Sequence, residues 1–277
     1  MVMAMNSFMT DEARNRRSLV VRDIIARLPH FRRPPIISHV TALQYWGCPP
    51  YGNKLDTNLL HVAVKERRKR PFAEGVQPHL WTSPMPVHED KGFFVVQPAV
   101  CLAQMASYLS EDELVQVASS FACRDRSRRV ATMADLIAYA ERTPKFHGRS
   151  KILRMRPYLL ENTDSPREAL LAKFLIEAGI GPLVANYPVK LDASYCYIDL
   201  AIVNLKLGLE YQGAHHADAE QMRRDADKHN QLIRRGWRII YVTAKDFEHP
   251  YKVQQFLLTV RGAIAHQAHL LGLKEAT

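Results

Sequence analysis

Cysteine is scarce and scattered in this 277-residue chain: Cys48, Cys101, Cys123 and Cys196 form no C-x-x-C pair. That spacing excludes a zinc-ribbon pattern and a disulfide framework, and fits reduced thiols in a cytosolic protein. No apolar run approaches the roughly 20 residues needed to span a bilayer, so no membrane role is expected. The opening MVMAMNSFMTDEARNRR has no basic residues ahead of its short apolar part and no clear cleavage site, so a signal peptide is not expected and the chain reads as cytoplasmic. No segment is of low complexity. Acid is the other shortage, with 28 Asp and Glu against 38 Lys and Arg, a net charge of +10.

That imbalance is uneven. Residues 1–163 hold 24 Lys and Arg against 15 Asp and Glu, net +9, and residues 164–277 hold 14 against 13, net +1. Excess cation in the N-terminal part points to a phosphate-backbone partner, DNA, engaged there. At 47% apolar residues the chain can build real cores, and its length suits two ordinary domains. The division expected is a basic α+β, partly helical domain over 1–163 and an α/β domain over 164–277.

In the first part, residues 11–28 read as a charged helix ended by Arg32-Arg33-Pro34-Pro35, and Ser38 opens a short helix that stops at Gly47. Leu59 to Val64 and Val76 to Trp81 read as strands around the basic run Lys65-Glu66-Arg67-Arg68-Lys69-Arg70. Arg67, Arg68, Lys69 and Arg70 are the candidate grip on DNA phosphates; the plainer reading is a solvated hairpin tip. Phe93 to Val96 is a third strand. Helices follow from Pro98, from the capping-box-like Ser110-Glu111-Asp112-Glu113, from Thr132, and near His147 to Leu160.

The second part opens with a helix start at Thr163-Asp164-Ser165-Pro166. Leu170, Leu171, Phe174 and Leu175 are its expected core positions, and Glu168 falls in its first turn. Tyr187 to Leu191 reads as a strand. The stretch Tyr195 to His216, YCYIDLAIVNLKLGLEYQGAHH, reads as two strands joined by a tight turn, each with alternating faces. A turn centred between Asn204 and Leu205 sets Asp199 directly across from Glu210. Carboxylates so placed lie roughly 5 Å apart and repel. A divalent cation between them relieves that repulsion, and two carboxylates with open positions for water and phosphate suit Mg²⁺, or Mn²⁺ in its place. The alternative is an asymmetric turn with both acids in solvent. Gln212 shares the Glu210 face, and His215 and His216 follow Gly213. Ala219 to Arg235 reads as a helix, Trp237 to Thr243 as a buried central strand, and Tyr251 to Leu271 as a final helix with His266 and His269 on the surface.

E-Y-Q-G-x-x-H at Glu210 to His216, followed by Arg224-Asp225 and Gly236-Trp237, resembles the domain of unknown function 559 family. That family is similar to the very-short-patch repair endonucleases and groups with the PD-(D/E)xK, restriction-endonuclease-like folds. The resemblance runs from about Ser165 to the C-terminus and implies an α-β-β-β-α-β core. It further implies Asp199 and Glu210 as metal-binding acids, Glu168 as an acid reaching the metal from the first helix, and Gln212 at the usual lysine position. His216 matches the family histidine. Arg224 and Lys228 match basic positions suited to nucleic acid; a lysine relocated to Lys228 would replace the one absent at Gln212, and the plainer reading is that Asp225 pairs with a basic neighbour and orients the helix. Toward the N-terminus, S-H-x-x-A at Ser38 to Ala42, L-H-V-A-V at Leu60 to Val64 and V-x-x-H at Val76 to His79 resemble AbiEi-type antitoxin-like proteins. Only 37 residues precede Ser38, fewer than a winged-helix module occupies, so sequence-specific DNA binding by that route is not expected.

Two functions follow from this reading. One is a Mg²⁺-dependent DNA endonuclease, a hydrolase of phosphodiesters, in a phage-defence or toxin–antitoxin setting. Its catalytic residues would be Glu168, Asp199, Glu210, Gln212 and His216. The other is a catalytically inactive nuclease-fold regulator of antitoxin type, with a toxin or defence-system partner.

Overall fold

Proline and glycine set many of the element boundaries in the computed structural model, which describes residues 11–51, 54–192, 194–212 and 219–273. Pro98, Pro166 and Pro250 each stand in the first turn of a helix, where the missing N–H costs nothing. Gly179 and Gly236 follow helices with φ of +75° and +79°, the left-handed conformation that ends a helix without a Cβ clash. The chain is mixed α/β and divides into two compact units, Met1–Glu161 and Asn162–Thr277. Among the described residues no helix is long and apolar enough to cross a membrane.

In the first unit, α1 (Asp11–Arg27) leads to β1 (Ile36–Ile37), α2 (His39–Tyr45), β2 (Leu60–Val64), β3 (Val76–Leu80), β4 (Val87–Asp90) and β5 (Phe93–Val96). Four helices follow: α3 (Pro98–Met105), α4 (Glu111–Phe121), α5 (Met133–Arg142) and α6 (Arg149–Met155). The strands form one sheet in the order β3-β2-β1-β5-β4. Helix α3 is buried almost all round, so its sequence PAVCLAQM needs no polar face. Capping boxes at Ser110–Glu113 and Thr132–Asp135 start α4 and α5.

One expectation is corrected here. β2 and β3 run parallel, with His61 opposite Gln77 and Ala63 opposite His79, so the basic run between them is a crossover and not a hairpin tip. Alternation along a strand specifies its faces but not the direction of its neighbour. The short strands β1 and β4 escaped the sequence: two residues are too few to show a period, and V-H-E-D carries too little apolar character.

In the second unit, α7 (Pro166–Glu177) precedes β6 (Val184–Lys190), β7 (Tyr195–Ile202), β8 (Leu207–Tyr211), α8 (Ala219–Arg234), β9 (Arg238–Val242) and α9 (Pro250–Leu270). The sheet order is β6-β7-β8-β9. β6, β7 and β8 are antiparallel neighbours, and β9 lies parallel to β8 after the crossover through α8. Ile198 and Leu200 are fully buried, each contributing on the order of 2 kcal/mol by removal from water. Val189, Cys196, Ile198, Leu232 and Trp237 share one core cluster. Gly208 is required by packing: a Cβ there would lie 2.7 Å from both Ile198 and Ile239. Strand β9 is a second correction. It stands at the edge of the described sheet, not at its centre, and Arg238 and Tyr241 are exposed.

Candidate active site

The β7–β8 turn spans Val203 to Lys206, with Lys206 left-handed at φ +47°. It gives the register Leu200↔Leu209, Ala201↔Gly208 and Ile202↔Leu207, the one expected from a symmetric turn. One step beyond Leu200↔Leu209, away from the turn, stand Asp199 and Glu210. On the other side of β7, the pairs Ala185↔Leu200 and Tyr187↔Ile198 put Asn186 across from Asp199. In the parallel ladder Glu210 pairs with Tyr241. Neighbouring strands therefore carry a polar row, Asn186, Asp199, Glu210 and Tyr241, across the sheet.

Asp199 Oδ2 accepts the Tyr211 backbone N–H at 2.9 Å. Burial, then the negative charge of Glu168 and to a lesser degree of Glu210, push the Asp199 carboxyl up to about 7, against the opposing pull of the Tyr211 N–H and Lys228. Lys228, on α8, donates to Glu210 Oε1 at 2.7 Å. Burial works against the Lys228 ammonium, yet Glu210, Cys196 and Asp199 together hold it above the ordinary lysine range. The cation beside the second acid is thus supplied by the chain. Tyr241, whose hydroxyl meets His229 Nδ1 at 3.0 Å, is raised by burial and by the charge of Glu210.

Glu168 has two roles to reconcile. Ser165 caps α7 by accepting the Glu168 N–H at 3.2 Å. The Glu168 carboxylate reaches back to the Asp164 N–H at 2.9 Å and also takes Asn186 Nδ2 at 3.0 Å. That is helix-start chemistry. At 8% exposure its carboxyl is raised by burial, against these hydrogen bonds, and its charge is the largest electrostatic influence on Asp199. Asn186, with φ +47° and 7% exposure, ties Glu168 to the Asn162 carbonyl through its amide, and sequence reasoning missed it. The available signal was an asparagine inside the apolar strand pattern V-A-N-Y-P-V.

Of the residues singled out from sequence, Glu168, Asp199, Glu210 and Lys228 come together. Gln212 continues the β8–β9 pairing through its N–H, 2.7 Å from the Val242 carbonyl, and its side chain is exposed. Arg224 is exposed on α8. His215 and His216 lie outside the described residues. In the first unit, Arg67, Arg68, Lys69 and Arg70 are exposed. Arg68 Nε pairs with Glu66 at 2.6 Å, and Lys69 pairs with the same carboxylate. A groove of about 850 Å³ brings Arg68, Lys69 and Arg70 to Arg32, Arg33 and the exposed Phe72. The sequence showed the two basic runs but not their meeting.

The donor set bears on a metal. Carboxylate oxygens suit a hard divalent cation, and the crowding that lifts Asp199 is relieved by positive charge. Among the described residues no group of three or more His, Cys, Asp or Glu is arranged as a metal cage. Mg²⁺ is commonly held by only one or two carboxylates, with water and substrate phosphate completing its shell, so the carboxylate donors here are of the type that ion takes. Compared with protein-family models, curated proteins and solved structures, the chain gives no match.

Proposed function

We propose that the second unit is a metal-dependent phosphodiesterase acting on DNA, with a restriction-endonuclease-like core. The observation that supports this most is the convergence of Glu168, Asp199 and Glu210 from a helix and two strands, joined by Lys228 from the next helix. A core built only for stability has no use for buried acids that repel one another. Asp199 and Glu210 would hold a divalent cation, which when bound lowers the pKa of water and offsets charge on phosphate. Lys228 sets a cation beside the acids, the function expected of the lysine that Gln212 replaces. The basic groove of the first unit would bind the phosphate backbone.

A second reading has its own support. Lys228 already neutralises Glu210, so the cluster is able to persist as an internal ion pair in a non-catalytic, DNA-binding regulator of antitoxin type with a toxin or defence-system partner. The two are separated by incubating supercoiled plasmid, single strands and mismatched duplex with Mg²⁺ or Mn²⁺, and by calorimetric titration of Mn²⁺. Nicking that disappears in Glu210→Gln supports the enzyme. Absence of both nicking and Mn²⁺ binding leaves the regulator.

A further inference from the structure

Three histidines that stand far apart in sequence meet in the first unit. His39 from S-H-x-x-A, His61 from L-H-V-A-V and His79 from V-x-x-H belong to three short motifs for which the acid cluster gives no role. His61 Nδ1 and His79 Nε2 are 2.8 Å apart. The His39 and His79 rings stack with centroids 3.7 Å apart. The backbone around them is tied as well: Ser38 N–H donates to the His61 carbonyl, and His61 N–H to Thr41 Oγ1 at 3.0 Å. His39 is 5% exposed and sits at φ +50°, a left-handed conformation that costs a non-glycine residue.

The hydrogen bonds dictate the tautomers. His61 Nε2 lies 2.8 Å from the Asp56 carbonyl, and a carbonyl only accepts, so the His61 proton is on Nε2. His61 Nδ1 must then accept, which puts the His79 proton on Nε2 and leaves His79 Nδ1 as an acceptor. Both ring nitrogens of His61 are engaged, so the trio is no metal site. Burial keeps all three rings neutral: His39 lies well below the ordinary range and His79 at about 4, with neighbouring imidazoles adding to each.

Two of the three, His39 and His79, wall a cavity of about 510 Å³, within the range of small-ligand sites. Trp81, Tyr108 and Phe146 line it alongside His39 and His79. Lys145 and His147 stand at its rim, both exposed. Their loop is pressed on the end of α3, since a Cβ at Gly148 would fall 2.7 Å from Ala106 Cβ. Gln104, 2% exposed, accepts the His39 N–H through Oε1 at 3.2 Å. Its Nε2 is buried without a hydrogen-bond partner among the described residues, a donor left unsatisfied at a cost that native interiors rarely accept. Among the described residues no carboxylate lines the cavity. Flat aromatic walls, an orphaned amide donor and a rim lysine without an acid describe a planar, acceptor-bearing anion.

We propose that the first unit carries a ligand site of its own for a nucleotide, its base against the aromatic and imidazole walls and its phosphate at Lys145 and His147. The nucleotide is either free or one residue of a single strand. The test is calorimetry and ¹⁵N chemical-shift titration of the full chain with AMP, GMP, CMP and UMP, with the nucleosides, with inorganic phosphate and with a short single-stranded oligonucleotide. At least one mononucleotide is expected to bind at least tenfold more tightly than its nucleoside or inorganic phosphate. Lys145→Glu and His79→Gln should each weaken it tenfold or more, with the thermal midpoint of Lys145→Glu unchanged. If His79→Gln does not fold, Lys145→Glu at the exposed rim reads the phosphate contact by itself. Binding confined to the oligonucleotide, and abolished in the same variants, assigns the strand as the source. No binding at millimolar concentration of any probe, or binding indifferent to both substitutions, overturns the site.

Discussion

Each unit buries a cluster of ionisable groups, and the two clusters are biased in opposite directions. His39, His61 and His79 are held neutral and resist gaining a proton. Asp199 and Glu168 are pushed the other way and resist losing one. Burial is the leading cause in both, because a low dielectric disfavours whichever form is charged. What differs is the compensation. His61 and His79 satisfy one another through fixed tautomers anchored on the Asp56 carbonyl, and His39 Nδ1 meets Ser38 Oγ. The carboxylates cannot donate to each other when ionised, so the second unit draws on the Tyr211 N–H, Asn186 and Lys228. A cluster that settles its own hydrogen bonds tolerates an empty site; one that repels itself favours a bound cation.

The largest effect expected is on chemistry. Asp199→Asn keeps an acceptor for the Tyr211 N–H and removes the charge, so nicking of supercoiled plasmid should fall by at least about 10²-fold while the fold persists. A variant that nicks like the wild type would remove Asp199 from the mechanism and leave its raised carboxyl a matter of packing.

Next in size is an opposite pH response. Asp199 in the folded, metal-free protein titrates at about 7, above its unfolded value. Its contribution is full at pH below about 4 and lost as pH rises toward 7, on the order of 2–4 kcal/mol. The histidines titrate below their unfolded value. Their contribution is full above pH about 6.5 and lost as pH falls toward 4, on the order of 1–3 kcal/mol for His79 after allowing for its partial exposure. The tryptophans separate the signals: Trp46 and Trp81 lie in the first unit and Trp237 in the second. Urea unfolding of Trp237→Phe, and of the double Trp46→Phe/Trp81→Phe variant, at pH 5 and 7.5 should give shifts of opposite sign. Shifts of the same sign would break the comparison.

Lys228→Met sharpens it. Removing the ammonium leaves Glu210 half-buried without its partner and should cost about 1–3 kcal/mol at pH 7.5. The same change takes away a charge that lowers the Asp199 carboxyl, so the loss of stability with rising pH should extend to higher pH. The smallest effect concerns the basic groove. Replacing Arg67, Arg68, Lys69 and Arg70 by Ala should reduce the slope of log affinity for DNA against log salt by about one for each phosphate that is no longer neutralised. Arg68 and Lys69 already share Glu66, so Arg67 and Arg70 should account for most of it, as single substitutions would reveal. An unchanged slope would make the run a solvated crossover.

Much of the second unit was legible because its signals are local. Ser165-Pro166 starts α7, Gly236 ends α8, and the alternation of YCYIDLAI with LGLEY pins the Asp199–Glu210 register. Pairing direction was not legible: β2 and β3 looked like a hairpin and run parallel, and β9 looked central and lies at the edge of the described sheet. Asn186 and Tyr211 were invisible as site residues because their roles depend on a left-handed backbone and on an N–H freed where two strands part.

The sequence by itself determined where helices and strands begin, which faces turn inward and which two acids stand opposite each other, since each follows from dihedral preference, capping and period over a few residues. Glu168 and Lys228 were named only through the family resemblance; which acid each one meets was decided by the tertiary structure. Lys228 reaches Glu210 across 18 positions and Glu168 influences Asp199 across 31, while the parallel pairing of β2 and β3 sets His79 against His61, and His79 shares a cavity wall with His39. Long-range proximity leaves no periodic trace, because the chain between two partners is free to take any length and composition that lets the core close.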